Sequence, residues 1–141
     1  MATGASGNVG KIAQVIGPVV DVEFEPGHLP FILSGLFVSN PAISDEPDNL
    51  VIEAAQHLGD NMVRCIAMDT TDGLVRGMPV KDSGEPIKIP VGAPTLGRIM
   101  NVVGRPVDGL GALTSETYYP IHRKAPAFIE QDTTVQVLET G

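Results

Sequence analysis

The apolar positions of this chain fall in short runs separated by glycine and proline, a spacing that predicts strands rather than long helices. The first run covers residues 12–24 and is interrupted by Gly17-Pro18, where a bend or bulge is expected. Beyond it, Val20, Val22 and Phe24 share one face, with Asp21 and Glu23 on the other. Gly27-His28-Leu29-Pro30 breaks the chain, and residues 33–39 form a second, weaker run. Residues 40–49 read as a polar, solvated loop holding Pro41, Pro47, Asp45, Glu46 and Asp48. A third strand is predicted over 50–56, and Gly59-Asp60-Asn61 turns it into a fourth over 62–68. After a turn at Asp72-Gly73, residues 78–81 and 86–91 predict a last pair around Asp82-Ser83-Gly84-Glu85. Short strands in such number leave exposed edges in a flat sheet, and closure removes them. The expected fold is therefore mainly β: a six-stranded closed barrel over residues 11–92, preceded by a flexible tail at 1–10.

The texture changes after the barrel. Leu96, Ile99, Met100 and Val103 repeat at i, i+3, i+4 and i+7, so a short exit helix is expected, with Thr95 as N-cap, Gly104 as its stop and Pro106 preventing continuation. Residues 107–126 read as an irregular linker, and strand-like spacing returns at 134–138.

Charge and cysteine usage narrow the function classes. Nine Lys and Arg stand against 17 Asp and Glu, a formal net charge of −8. An acidic surface repels phosphate backbones, and with two Tyr, four Phe and no basic cluster the chain lacks the stacking groove of an oligonucleotide-binding barrel. No apolar run approaches the roughly 20 residues that cross a bilayer. The first ten residues lack a signal pattern, so a cytosolic protein is expected. Cys65 is the single cysteine and sits in an alternating strand, which makes it a small core residue.

Several motifs invite chemistry and fail its requirements. Residues 4–11, Gly-Ala-Ser-Gly-Asn-Val-Gly-Lys, look like a phosphate loop, yet Ala5 stands where the first glycine belongs and Ile12 where the hydroxyl residue belongs. Residues 104–111 are glycine-rich but lack a lysine, and Pro106 lacks a donor; a turn accounts for them. His28, His57 and His122 are far apart, Asp45, Glu46 and Asp48 do not match a calcium loop, and Asp21 and Glu23 have no base or nucleophile beside them. No catalytic, cofactor-binding or metal residue is expected on these grounds.

Three ordered stretches carry a resemblance. Residues 10–24, GKIAQVIGPVVDVEF, residues 63–69 with 72–77, VRCIAMD and DGLVRG, and residues 90–92 with 95–108, PVG and TLGRIMNVVGRPVD, are followed by IHRKAP at 121–126 and LETG at 138–141. In this order they resemble the N-terminal third of the catalytic beta subunits of F-type ATP synthases. Cys65 stands where threonine is more usual, and the 40–49 loop is longer than in many relatives. The resemblance implies an N-terminal barrel leading into an α/β nucleotide-binding domain, absent here. It also implies alpha subunits as partners in an alternating ring around a central rotor, and a peripheral place on the cytoplasmic face of a bacterial inner membrane. Mg-ATP or ADP is implied for the full-length subunit. The family's phosphate loop, catalytic glutamate and adenine-stacking aromatics are expected beyond residue 141, so none is carried onto this chain. The non-catalytic alpha subunit and the vacuolar and flagellar relatives share the barrel; residues 98–104 and the early barrel start at Lys11 favour beta.

Overall fold

A computed structural model describes residues 7–137 of the chain. Six strands close a barrel: β1 (Val9–Ile16), β2 (Val19–Glu23), β3 (Ser34–Val38), β4 (Leu50–Gly59), β5 (Met62–Ala67) and β6 (Pro79–Pro86), in the order β1-β2-β5-β4-β3-β6. Every neighbouring pair is antiparallel, and β1 against β6 closes the ring with Gly10 opposite Val80. The expected six-stranded barrel is present, but two stretches supply its strands differently from the expectation.

Residues 12–24 are not one bent strand. Gly17, at φ 56°, and Pro18 form the two-residue turn of a hairpin that pairs Ile16 with Val19. Glycine in the left-handed region at the first turn position matches the right-handed twist of the flanking strands. In the other direction, Asp82 to Glu85 is no turn between two strands. β6 runs through it, with Leu36 opposite Asp82 and Ser34 opposite Pro86, so the extra residues form a bulge. The side chains of Asp82 and Ser83 accept the amide hydrogens of Gly84 and Glu85, which satisfies donors the bulge takes out of the ladder. The second half of the expected last pair, β7 (Lys88–Pro90), leaves the barrel and pairs with β8 (Tyr118–Pro120). Of the expected tail, residues 1–6 lie outside the described residues, whereas Val9 and Gly10 already belong to β1.

The interior is filled by branched and small side chains in cross-strand rows. Val20, Cys65 and Ala54 face one another across β2, β5 and β4, and Ile12, Val22 and Val63 form the next row; all six are at most 1% exposed. A six-stranded barrel has room for little more than these side chains, which is why small Cys65 suits its place. The loop of residues 40–49 is less solvated than expected at its ends. The Asn49 side chain accepts from the Asn40 amide (2.7 Å) and donates to the Asn40 carbonyl (2.9 Å), and both asparagines are buried. The Asn40 side chain in turn donates to the Asp72 carbonyl (2.8 Å), stapling the loop to the β5–β6 connection.

The expected exit helix does not form. Its N-cap, Thr95, ends a single 3-10 turn, Ala93–Thr95, and Leu96 is already extended. Residues 99–107 then fold back on themselves: the Asn101 amide donates to Arg105, Met100 bridges to Pro106, and the Val107 amide donates to Ile99. Asn101 Oδ1 accepts from the amides of Val103 and Arg105, and Gly104 adopts φ 78°. Gly97, Ile99, Val102 and Val103 are poor helix formers, and a short helix is marginal without a packed face. Leu96 is 79% exposed and Ile99 65%, so no such face is supplied, and the Asx turn prevails. Residues 134–137 form no strand, and Leu138 lies outside the described residues.

Candidate interaction surface

The outer wall of the barrel has two unlike sides. Over β3 and β4 the exit segment lies against it. Arg105 donates to the carbonyls of Asp48 (3.0 Å) and Asn49 (3.3 Å), tying the 99–107 turn to the start of β4. Val103, Arg105, Ile87 and Tyr118 line a cleft of about 430 Å³ with Gly35, Phe37 and Val51 of the barrel wall. The two sides pack closely at one end: a Cβ on Gly35 would come 3.1 Å from the Ile87 side chain, which would have to give by a few tenths of an ångström. His122, just past β8, reaches Glu53 on the outer face of β4, with Nε2 2.8 Å from Oε2.

Over β1, β2 and β5 the wall is open. Ile16 pairs with Val19 and Val19 with Ile66, so these three side chains form one outward row across three strands. Ile16 is 57% and Ile66 45% exposed, and Val19 is half-buried. Beside them Arg64 donates from Nε and Nη2 to the two carboxylate oxygens of Asp21, both at 2.9 Å. That pair takes Asp21 out of any carboxylate dyad with Glu23, which faces Lys11 and Met62 in the ladder. The charged fork holds the polar part of the face in a fixed shape next to an apolar row.

A second charged clip shapes the exit. Arg98 donates to both carboxylate oxygens of Asp108 (2.6 and 3.1 Å) and to the Gly111 carbonyl (2.7 Å), while the amides of Leu110 and Ile99 also donate to Asp108. The Arg98 guanidinium, with help from these amides, holds the Asp108 carboxyl far below the usual carboxylate range. Beyond it the apolar side chains are bare: Phe128, Ile129, Val135 and Val137 are each more than 85% exposed.

The residues weighed in the sequence are dispersed. Cys65 is fully buried, and burial pushes its thiol up to about 12. His57 bonds the Pro30 carbonyl, His122 bonds Glu53, and His28 is exposed in the loop that leads to Pro30. Asp48 accepts from Lys81 (2.9 Å), and Asp45 and Glu46 are exposed in the loop. Among the described residues no three His, Cys, Asp or Glu side chains cluster as a metal site. The outward row was missed in the sequence, although the doublets Val15-Ile16 and Val19-Val20 depart from strict alternation, the sign of a strand with apolar residues on both faces. The Glu53–His122 bond spans 69 positions and leaves no local signal.

What the barrel is follows from comparison with known families. Residues 12–84 match the model of the ATP synthase alpha/beta family, beta-barrel domain. The matched span runs from β1 to the bulge of β6, through every strand that closes the barrel and more than half of the chain. This chain belongs to the ATP synthase alpha/beta family.

Proposed function

We propose that this chain is the barrel-bearing part of a catalytic beta subunit of a proton-driven rotary ATP synthase. Its barrel acts as an assembly unit in a ring that alternates with alpha subunits around a central rotor. The observation that carries the assembly role is the two-sided wall: one side partly covered by the chain's own exit segment, the other presenting Ile16, Val19 and Ile66 beside the Asp21–Arg64 pair. A closed barrel has no strand edge to lend, so neighbours meet it through side chains of the outer wall. In an alternating ring the two contacts of each barrel differ, so self-complementarity is not required. Preference for beta over alpha rests on the resemblance of residues 98–104.

ATP chemistry belongs, in this reading, to a nucleotide-binding domain that follows the barrel in the full-length subunit and binds Mg-ATP or ADP there. The bare side chains of Leu96, Phe128, Ile129, Val135 and Val137 are the surface such a domain would cover. No helix among the described residues is long and apolar enough to cross a membrane, and we place the assembled complex peripherally on the cytoplasmic face of a bacterial inner membrane.

The experiment is capture of the 141-residue chain on immobilised alpha-type and beta-type subunits, with Mg-ATP calorimetry on the chain alone. Retention on alpha-type subunits only, with no micromolar nucleotide binding, is expected. Retention on beta-type subunits only would assign the chain to the alpha branch, and tight Mg-ATP binding would end the assembly-only role of this stretch.

A further inference from the structure

The cleft between the exit segment and the barrel wall combines an apolar floor with an unbalanced charge. At about 430 Å³ it falls within the range of natural ligand pockets. Val51 and Ile87 on its floor are each 7% exposed, and Phe37 is half-buried. Tyr118 adds a second aromatic ring to the lining. Two cations, Lys88 and Arg105, line the cleft against one anion, Glu85, and Glu85 is paired with Lys88. Arg105 donates to the Asp48 and Asn49 carbonyls, while the Asp48 carboxylate is paired with Lys81. Among the described residues no carboxylate pairs with Arg105. A guanidinium carries five N–H donors, so three remain after the two carbonyls.

We propose that this cleft binds a small aromatic monocarboxylate, with its ring on the apolar floor and its carboxylate on Arg105. A planar guanidinium meets a carboxylate through two parallel hydrogen bonds, each roughly twice as strong as a neutral one. The surplus charge of the lining is that of Arg105 alone, so a monoanion balances it. A dianion such as a phosphate ester brings a second negative charge onto a molecule already at −8. A neutral ligand leaves the guanidinium facing carbonyls only, and a purely polar anion leaves the floor of Val51 and Ile87 wet. An aromatic body covers that floor and gains further from edge or offset packing on the rings of Phe37 and Tyr118. The cleft also joins two parts of the chain. Val103 and Arg105 belong to the exit turn, Phe37 and Val51 to the barrel, so an occupant ties the two together.

The test is titration of the 141-residue chain with 2-naphthoate and with its neutral methyl ester, followed through amide resonances. A ligand of about a dozen heavy atoms implies a Kd on the order of 0.1–1 mM. Shifts are expected at Phe37, Val51 and Val103, with Val19 and Ile66 on the open wall unmoved. The ester is expected to bind about five- to tenfold more weakly than the acid, and Arg105→Gln to weaken the acid by a similar factor. Arg105→Lys is expected to restore part of that loss, and the ester to bind the natural and Arg105→Gln chains alike. Arg105 is exposed and lies outside the barrel, so the Val63 amide in β5 stays in place as a control for the fold. Equal binding of acid and ester, acid binding unchanged by Arg105→Gln, shifts centred on the open wall, or no saturable shift up to about 10 mM overturns the proposal.

Discussion

Two isoleucines on adjoining strands give the sharpest check on the barrel. Ile52 on β4 points inward, is 0% exposed, and faces Leu36 and Ala67 across the ladder. Ile66 on β5 points outward and is 45% exposed. Truncation to alanine removes the same three carbons from each. At Ile52 the lost contacts leave a cavity whose walls are tied by ladders on both sides, so collapse is limited and the cost is about 3–4 kcal/mol. At Ile66 roughly half of that apolar surface is already wet and no cavity forms, so the cost is about 1 kcal/mol. A domain of this size is stabilised by roughly 5–15 kcal/mol, so the first change is severe and the second mild. In urea, with a slope near 2 kcal/mol per molar, the midpoint falls by about 1.5–2 M for Ile52→Ala and about 0.5 M for Ile66→Ala. Equal losses, or a larger loss at Ile66, would refute the register, because a slip of one residue exchanges the inner and outer faces of a strand.

Three further outcomes are expected. The Asp108 carboxyl is held below its unfolded value by Arg98, so its stabilisation is complete above about pH 4 and is lost only as pH falls toward the depressed folded value; an Ile99 amide resonance titrating with a midpoint near 4 contradicts this. Gly104→Ala loosens the 99–107 turn by about 2–4 kcal/mol, because φ 78° strains alanine and its Cβ would lie 2.6 Å from Pro90 Cδ; resonance changes confined to the exit segment with an unchanged barrel are expected. Cys65, buried and pushed up to about 12, reacts with a thiol reagent only when the barrel opens, so labelling that is fast and independent of added urea would count against its place in the core.

The barrel was legible in the sequence because its signals are local. Val20 and Val22 alternate with Asp21 and Glu23, and Gly59-Asp60-Asn61 carries the positive φ values (93°, 48° and 61°) that the β4–β5 turn uses. The errors arose where one local signal has two structural uses. Gly17-Pro18 serves a hairpin as well as a bend, and Asp82-Ser83-Gly84-Glu85 serves a bulge as well as a turn. The stripe Leu96, Ile99, Met100 and Val103 satisfies helical spacing, yet periodicity reports a face only where something packs on it, and here β-branched residues and the Asn101 side chain favour a turn. The surface was least legible. Which apolar side chains stay outside depends on β3 and β4 being covered by residues 87–122 while β1, β2 and β5 are not, a division made by contacts between distant parts of the chain.

The central claim is that this barrel meets unlike neighbours through its open wall, and sedimentation velocity at about 0.15 M salt tests it most directly. Copies carrying −8 repel one another, and the open row is too small to hold identical subunits together. The chain alone is therefore expected to sediment as a monomer at micromolar concentration, and to shift to a faster species when an alpha-type subunit is added. Ile66→Ala is expected to reduce that shift while leaving the monomer folded. A stable hexamer or tight homodimer of the chain alone, or no shift with an alpha-type subunit at any concentration, would contradict the account.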